Sequence, residues 1–170
     1  NGNSFAAELT PPYTINVPTC ATLWLPEIRS GTERSRQISF QWLRSSGPSS
    51  VRCRGQEIAV APARQAPTVR KVHLLAASVK AVATVGVTLR FADNSEQFIT
   101  FPVSVWTQPP ANGEVVAHAM PYSRTGVPDA AGPPVSVFWY TINVRESKKL
   151  TTIAFTNAPD VRILAITTER

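Results

Sequence analysis

Apolar and polar residues alternate with a period of two along most of this 170-residue chain, and β-branched residues cluster in the alternating runs. Successive side chains of a strand point to opposite faces, so the pattern predicts strands with one buried face. The runs fall at 13–17, 22–25, 37–43, 51–60, 69–79, 84–91, 97–106, 114–120, 135–144, 150–155 and 162–168. No window of about twelve residues carries the 3.6-residue apolar stripe of a helix. Eleven strands are too many for one flat sheet. They must close into a barrel or split into packed layers, and the irregular, Pro-rich links favour layers. The expectation is an all-β fold, a two-layer antiparallel β-sandwich formed as one domain by residues 1–170.

The clearest local signal is a hairpin in which 85–91 and 96–101 flank Ala92-Asp93-Asn94-Ser95, with Asp and Asn supplying the turn. Pro102 has no N–H to give to a ladder, so it marks an edge, a bulge or a strand end. Pro109-Pro110-Ala111-Asn112-Gly113 reads as a loop. The other breaks, at 26–35, 45–50, 61–67 and 123–134, are too short to be interdomain linkers.

Charged residues make up 16% of the chain, beside 43% hydrophobic residues and 15 prolines, which excludes a disordered segment, a coiled coil or collagen. No uninterrupted apolar stretch approaches the roughly 18 residues of a spanning helix, and Asn1-Gly2-Asn3-Ser4 is polar and unlike a signal sequence. The net charge of +6 is one-sided: residues 1–80 hold ten Lys or Arg against four Glu, while residues 81–170 balance. A basic half of this kind is either a solvated face or a surface for an anionic partner. Nucleic acid is not expected, because Trp42 among scattered arginines provides no run of stacking aromatics interleaved with basic residues.

Cys20 and Cys53 are the only cysteines, both at strand edges. They lack two further ligands for a structural zinc site, and His73 and His118 do not stand at metal-ligand spacing from them. A Cys20–Cys53 disulfide is expected, contributing about 3–4 kcal/mol in the chain-entropy model, with two buried thiols as the alternative. With the disulfide goes a secreted, extracellular location. Catalytic chemistry is not expected. Most of the eleven acidic residues fall in turns, and Glu57 and Glu114, on predicted strands, have no evident carboxylate partner. His73, within the apolar Val72-His-Leu-Leu-Ala76 run, reads as a packed or hydrogen-bonded core histidine, and His118 reads similarly. No Gly-rich phosphate loop, redox pair or G-x-S-x-G motif occurs, and no Asp-rich loop offers calcium several hard ligands. Neither a cofactor nor a metal is expected.

Several segments form an ordered series: Gly55-Gln-Glu-Ile-Ala-Val60, the hairpin through Phe91-Ala-Asp-Asn-Ser95, Glu114-Val-Val-Ala-His-Ala-Met-Pro-Tyr122, Val135-Ser-Val-Phe-Trp-Tyr140, and the closing pair Lys148-Lys-Leu-Thr-Thr-Ile-Ala-Phe155 and Val161-Arg-Ile-Leu-Ala-Ile-Thr167. The series resembles the β-sandwich accessory module of secreted glycoside hydrolases, notably fungal α-L-fucosidase-like proteins and actinobacterial extracellular hydrolases. It covers roughly 37–168 and departs from that pattern in the Arg-rich stretch 29–54. The resemblance implies a jelly-roll or galactose-binding-like sandwich that binds carbohydrate without cleaving it, since the catalytic domain of those enzymes is a separate part of the chain.

Sugar recognition lays apolar C–H faces on aromatic rings and gives the hydroxyls to amide, carboxylate or guanidinium groups. Trp106 beside a Pro-rich loop, Tyr122 and Arg124 after the 114–120 strand, and Trp139 next to Tyr140 are the candidates for a rim site. Alternatively, Trp106 and Trp139 fill the core. The sequence therefore favours a secreted, non-catalytic module for carbohydrate or a cell-surface or cell-wall glycoconjugate. The alternative is a free-standing effector or inhibitor-like protein that binds an acidic protein or polymer partner through its Arg-rich half.

Overall fold

The computed structural model describes residues 4–5, 19–29, 32–42, 50–120, 123–124 and 133–170, and every regular element in them is a strand. In chain order these are β1 (Ser4–Phe5), β2 (Thr19–Arg29), β3 (Thr32–Trp42), β4 (Val51–Arg54), β5 (Glu57–Ala59) and β6 (Thr68–Ser78). Then follow β7 (Ala83–Phe91), β8 (Glu96–Val103), β9 (Val115–Met120), β10 (Ser123–Arg124), β11 (Val135–Phe155) and β12 (Asn157–Glu169). The all-β, antiparallel expectation holds. The strand expected at 13–17 lies outside the described residues.

The main sheet runs β4-β12-β6-β11-β7-β8, with β5 and β9 also paired to β11. Its organising strand is the 21-residue β11. Residues 135–149 of β11 pair with β6 and β9, and residues 150–155 pair with β7 and β5, so one strand serves both arms of a folded-over sheet. Between the arms lies the larger core, in which Val72, Leu74 and Ala76 of β6 meet Val85, Val87 and Leu89 of β7 and Ile142 and Ile153 of β11. The intervening β6 residues Leu75 and Ala77 point the other way. They join Phe138, Leu164, Ala165 and Trp106 in a second core, covered by Ile38 and Phe40 of the β2–β3 hairpin. β6 is thus buried on both faces, which is why 72–77 reads as an almost continuous apolar run instead of an alternation.

The sequence pattern gives separate strands at 135–144 and 150–155, with the polar Arg-Glu-Ser-Lys-Lys run of 145–149 between them. The chain stays extended through it, with a register shift between Asn143 and Lys148 that takes up the extra residues as a bulge. The Gln97 side chain clamps the bulge like a strand partner: Nε2 donates to Asn143 O at 2.8 Å and Oε1 accepts Arg145 N–H at 3.0 Å. Conversely, the single strand expected at 51–60 is split by Gly55, at φ +79°, into β4 and β5. The 97–106 run stops at Val103. Pro102 pairs with Thr84 inside β8, and β8 is the terminal strand of the path, the edge position a proline tolerates.

The β7–β8 turn forms as expected. Asn94 takes φ +63°, a conformation Asn reaches more readily than most residues. Asp93 Oδ1 accepts Ser95 N–H at 3.0 Å and Ser95 Oγ–H at 2.6 Å, and Oδ2 lies 3.1 Å from Lys148 Nζ. The Ser95 hydrogen bonds, with Lys148 beside them, hold the Asp93 carboxyl at about 2. Because this folded value lies below the unfolded one of about 3.9, the turn's contribution is complete above that value and is lost as pH falls toward 2. Thermal unfolding of wild type and Asp93→Asn is therefore expected to differ at pH 6 and to converge near pH 2. A gap that widened on acidification would contradict the assignment.

Candidate functional site

The segment between β8 and β9 folds back beside β11 because Ser104, fully buried, organises it. The Ser104 hydroxyl accepts Ala111 N–H at 2.9 Å and Asn112 Nδ2–H at 3.1 Å, while its own N–H donates to the Tyr140 phenol at 3.2 Å. Glu114 closes the loop: its Oε2 accepts Asn112 N–H at 2.9 Å across Gly113, which sits at φ +79°. The Ser104 hydroxyl and Tyr140 phenol adjoin this carboxylate, and its Oε1 is buried without a partner in hydrogen-bonding geometry. Burial raises the Glu114 pKa, but the Ser104 hydroxyl and the backbone N–H groups of the loop outweigh it and hold the group below its ordinary value. The carboxylate is consequently ionised and acts only as an acceptor. The Tyr140 phenol, pushed up chiefly by burial, stays protonated.

The loop and β11 enclose an open cleft of about 310 Å³ lined by Phe101, Pro102, Asn112, Glu114, Trp139 and Thr141, among others. Adjacent on β11, Trp139 and Tyr140 face opposite ways, as strand geometry requires. Tyr140 stacks on Phe101 with ring centroids 4.9 Å apart. Trp139 turns to His73, 5.7 Å between centroids, and its Nε1–H donates to His73 Nδ1 at 3.2 Å. An indole N–H can only donate, so His73 Nδ1 accepts and the ring proton sits on Nε2, aimed at Glu169 Oε2 at 3.1 Å. Thr141 Oγ1 stands 3.1 Å from the same Nδ1. His73 is thus a buried, hydrogen-bonded mount for the Trp139 ring.

Of the four expected rim residues, only Trp139 is placed at this cleft. Trp106 is a correction: it is 3% exposed, in the second core. Past Val103 the chain is drawn inward by Trp106 N–H donating to Ser78 O at 2.9 Å and Ser136 N–H donating to Trp106 O at 2.6 Å, which seats the indole beside Leu75 and Phe138. Tyr122 lies outside the described residues. Arg124 belongs to β10, paired with Ser4, and its side chain also lies outside them. The residues that sequence reading missed, Asn112, Glu114 and Thr141, come together only through the Ser104-centred fold of the loop. The Asn112-Gly113 turn immediately before a strand was their one visible trace.

The expected Cys20–Cys53 disulfide is likewise corrected: Cys53 is a free thiol, fully buried in the larger core, and the Cys20 side chain lies outside the described residues. Flanked by exposed Arg52 and Arg54, Cys53 occupies the inward position of β4, where apolar packing suits it. Burial, partly offset by the charge of Arg162, pushes its thiol up to about 12. Iodoacetamide at pH 8 is therefore expected to leave Cys53 unmodified in the native protein and to label it only after denaturation. Labelling at the rate of an exposed thiol would contradict this burial.

Glu57, the other strand-borne acid, is paired with Arg90 and stands apart from the cleft. Among the described residues no group of three or more His, Cys, Asp or Glu could hold a metal ion, and no helix is long and apolar enough to cross a membrane. The chain matches no family model and no curated protein.

Proposed function

We propose that this chain is a secreted, non-catalytic binding module that holds a neutral carbohydrate, free or within a glycoconjugate, in the cleft beside Trp139. The observation that carries the reading is a cleft lined by the aromatic residues Phe101, Trp139 and Tyr140 together with the polar residues Asn112, Glu114 and Thr141, gathered on neighbouring strands and a hydrogen-bonded loop. Trp139 spends its N–H on His73, and Phe101, stacked on Tyr140, adds a second aromatic residue to the lining; ring surface of this kind suits the C–H face of a pyranose. An ionised Glu114 gives the cleft a negative charge that repels acidic groups, and no Lys or Arg lines the cleft to offset that preference. The ordered likeness of residues 37–168 to accessory modules of secreted glycoside hydrolases supports the same reading.

The test is retention on a panel of immobilised glycans and insoluble polysaccharides. Binding to a neutral glycan is expected, changing little between low and moderate salt because stacking is not screened. Retention on none of the panel at high protein concentration overturns the reading.

A further inference from the structure

Arg52 and Arg162 are direct cross-strand partners on the antiparallel pair β4–β12, and Arg54 follows two residues along β4. Cys53 between them points into the core, so Arg52 and Arg54 face outward, and the inward Val161 and Ile163 do the same for Arg162. Like charges opposite one another destabilise an antiparallel pair. Here they are held together: Arg52 Nε donates to Pro159 O at 2.8 Å and Arg162 Nη1 donates to the same carbonyl at 2.7 Å. No carboxylate among the described residues forms an ion pair with any of the three. Asp160, whose field reaches Arg162, lies 3.8 Å from Lys80 Nζ. Burial first and the neighbouring Arg52 second lower the Arg162 pKa, and the Asp160 charge only partly offsets them.

We propose that Arg52, Arg54 and Arg162 form an oxoanion site that takes the sulfate or carboxylate groups of an anionic glycan. Two guanidinium groups sharing one acceptor are pre-organised, and their remaining N–H groups suit the paired oxygens of such an anion. Neither β4 nor β12 carries an aromatic residue, so the surface has no platform for stacking bases, which favours an acidic sugar over nucleic acid. The site is separate from the Trp139 cleft. β4 and β9 flank the ladder β4-β12-β6-β11-β9. Four strand spacings of about 4.8 Å divide them. The inference does not rest on the cleft reading, and the two sites prefer opposite ligands, one neutral and one anionic.

The experiment measures binding to heparin, to a carboxylated glycan (polygalacturonate) and to single-stranded DNA for wild type, Arg52→Gln/Arg162→Gln and the control Arg64→Gln/Arg70→Gln, which removes the same charge elsewhere. The first pair is expected to weaken binding to both anionic glycans about tenfold. The control is expected to stay close to wild type. Removing the like-charge contact should leave the first pair melting no lower than wild type, so lost binding is not lost folding. Arg52→Lys/Arg162→Lys, which keeps the charge and loses the fork, should bind more weakly than wild type. Equal weakening in both Gln pairs, tighter binding to DNA than to either glycan, or no binding by wild type overturns the proposal.

Discussion

Gly86→Ala is expected to destabilise the protein by about 2 kcal/mol, near the middle of the range for overpacking, and Gly86→Val by more. A Cβ at Gly86 would lie 2.6 Å from Thr156 Cγ2 and 2.8 and 2.9 Å from the ring of Phe98. Phe98 is 59% exposed and can swing aside, whereas Thr156, though exposed, moves its methyl only by disturbing its hydrogen bonds to Gly86. Thr156 N–H donates to Gly86 O at 2.9 Å, and its Oγ1 accepts Gly86 N–H at 2.8 Å, fixing the β11–β12 corner against β7. Thr156→Ser keeps the hydroxyl and removes the clashing methyl. Gly86→Ala should therefore cost much less in a Thr156→Ser background, while Phe98→Ala should rescue little. Urea unfolding of the four proteins measures the cycle, and equal cost in both Thr156 backgrounds would show that the methyl contact is not the cause.

Trp139 separates ring from N–H. Trp139→Phe keeps an aromatic ring at this lining position but removes the donor to His73, so glycan binding should persist while stability falls by about 1 kcal/mol, because Thr141 Oγ1 remains beside Nδ1. Trp139→Leu fills space without a ring and should weaken binding about tenfold or more. If both variants lose binding equally, the N–H network and not the ring face matters to the ligand. If neither does, the cleft is not the site.

How far these sites could be read in advance depended on how local their causes are. The Asp93–Asn94 turn and the edge placement of Pro102 follow from backbone chemistry within a few residues, and both lie where the pattern put them. β11 was split in two because its polar 145–149 run is supported by Gln97, 46 residues away from Asn143 in sequence. Trp106 and Cys53 were both assigned by proximity to apparent strand edges. Their burial arises from the second core beneath the β2–β3 hairpin and from the inward alternation of β4, neither of which is visible until the strands are ordered. The cleft was half legible: neighbouring Trp139 and Tyr140 had to diverge, but the partners they find are chosen by Ser104 and His73. The arginine pair was hidden for the same reason, since Arg52 and Arg162 meet only through the β4–β12 register.

The most direct measurement is a ¹⁵N-resolved titration of the assigned protein with each neutral glycan that the panel retains. Saturable shifts gathered at 112–115 and 139–141, including the Trp139 indole N–H, are the predicted result. Shifts confined to the β4–β12 edge, or none at millimolar glycan, would contradict a carbohydrate cleft at Trp139.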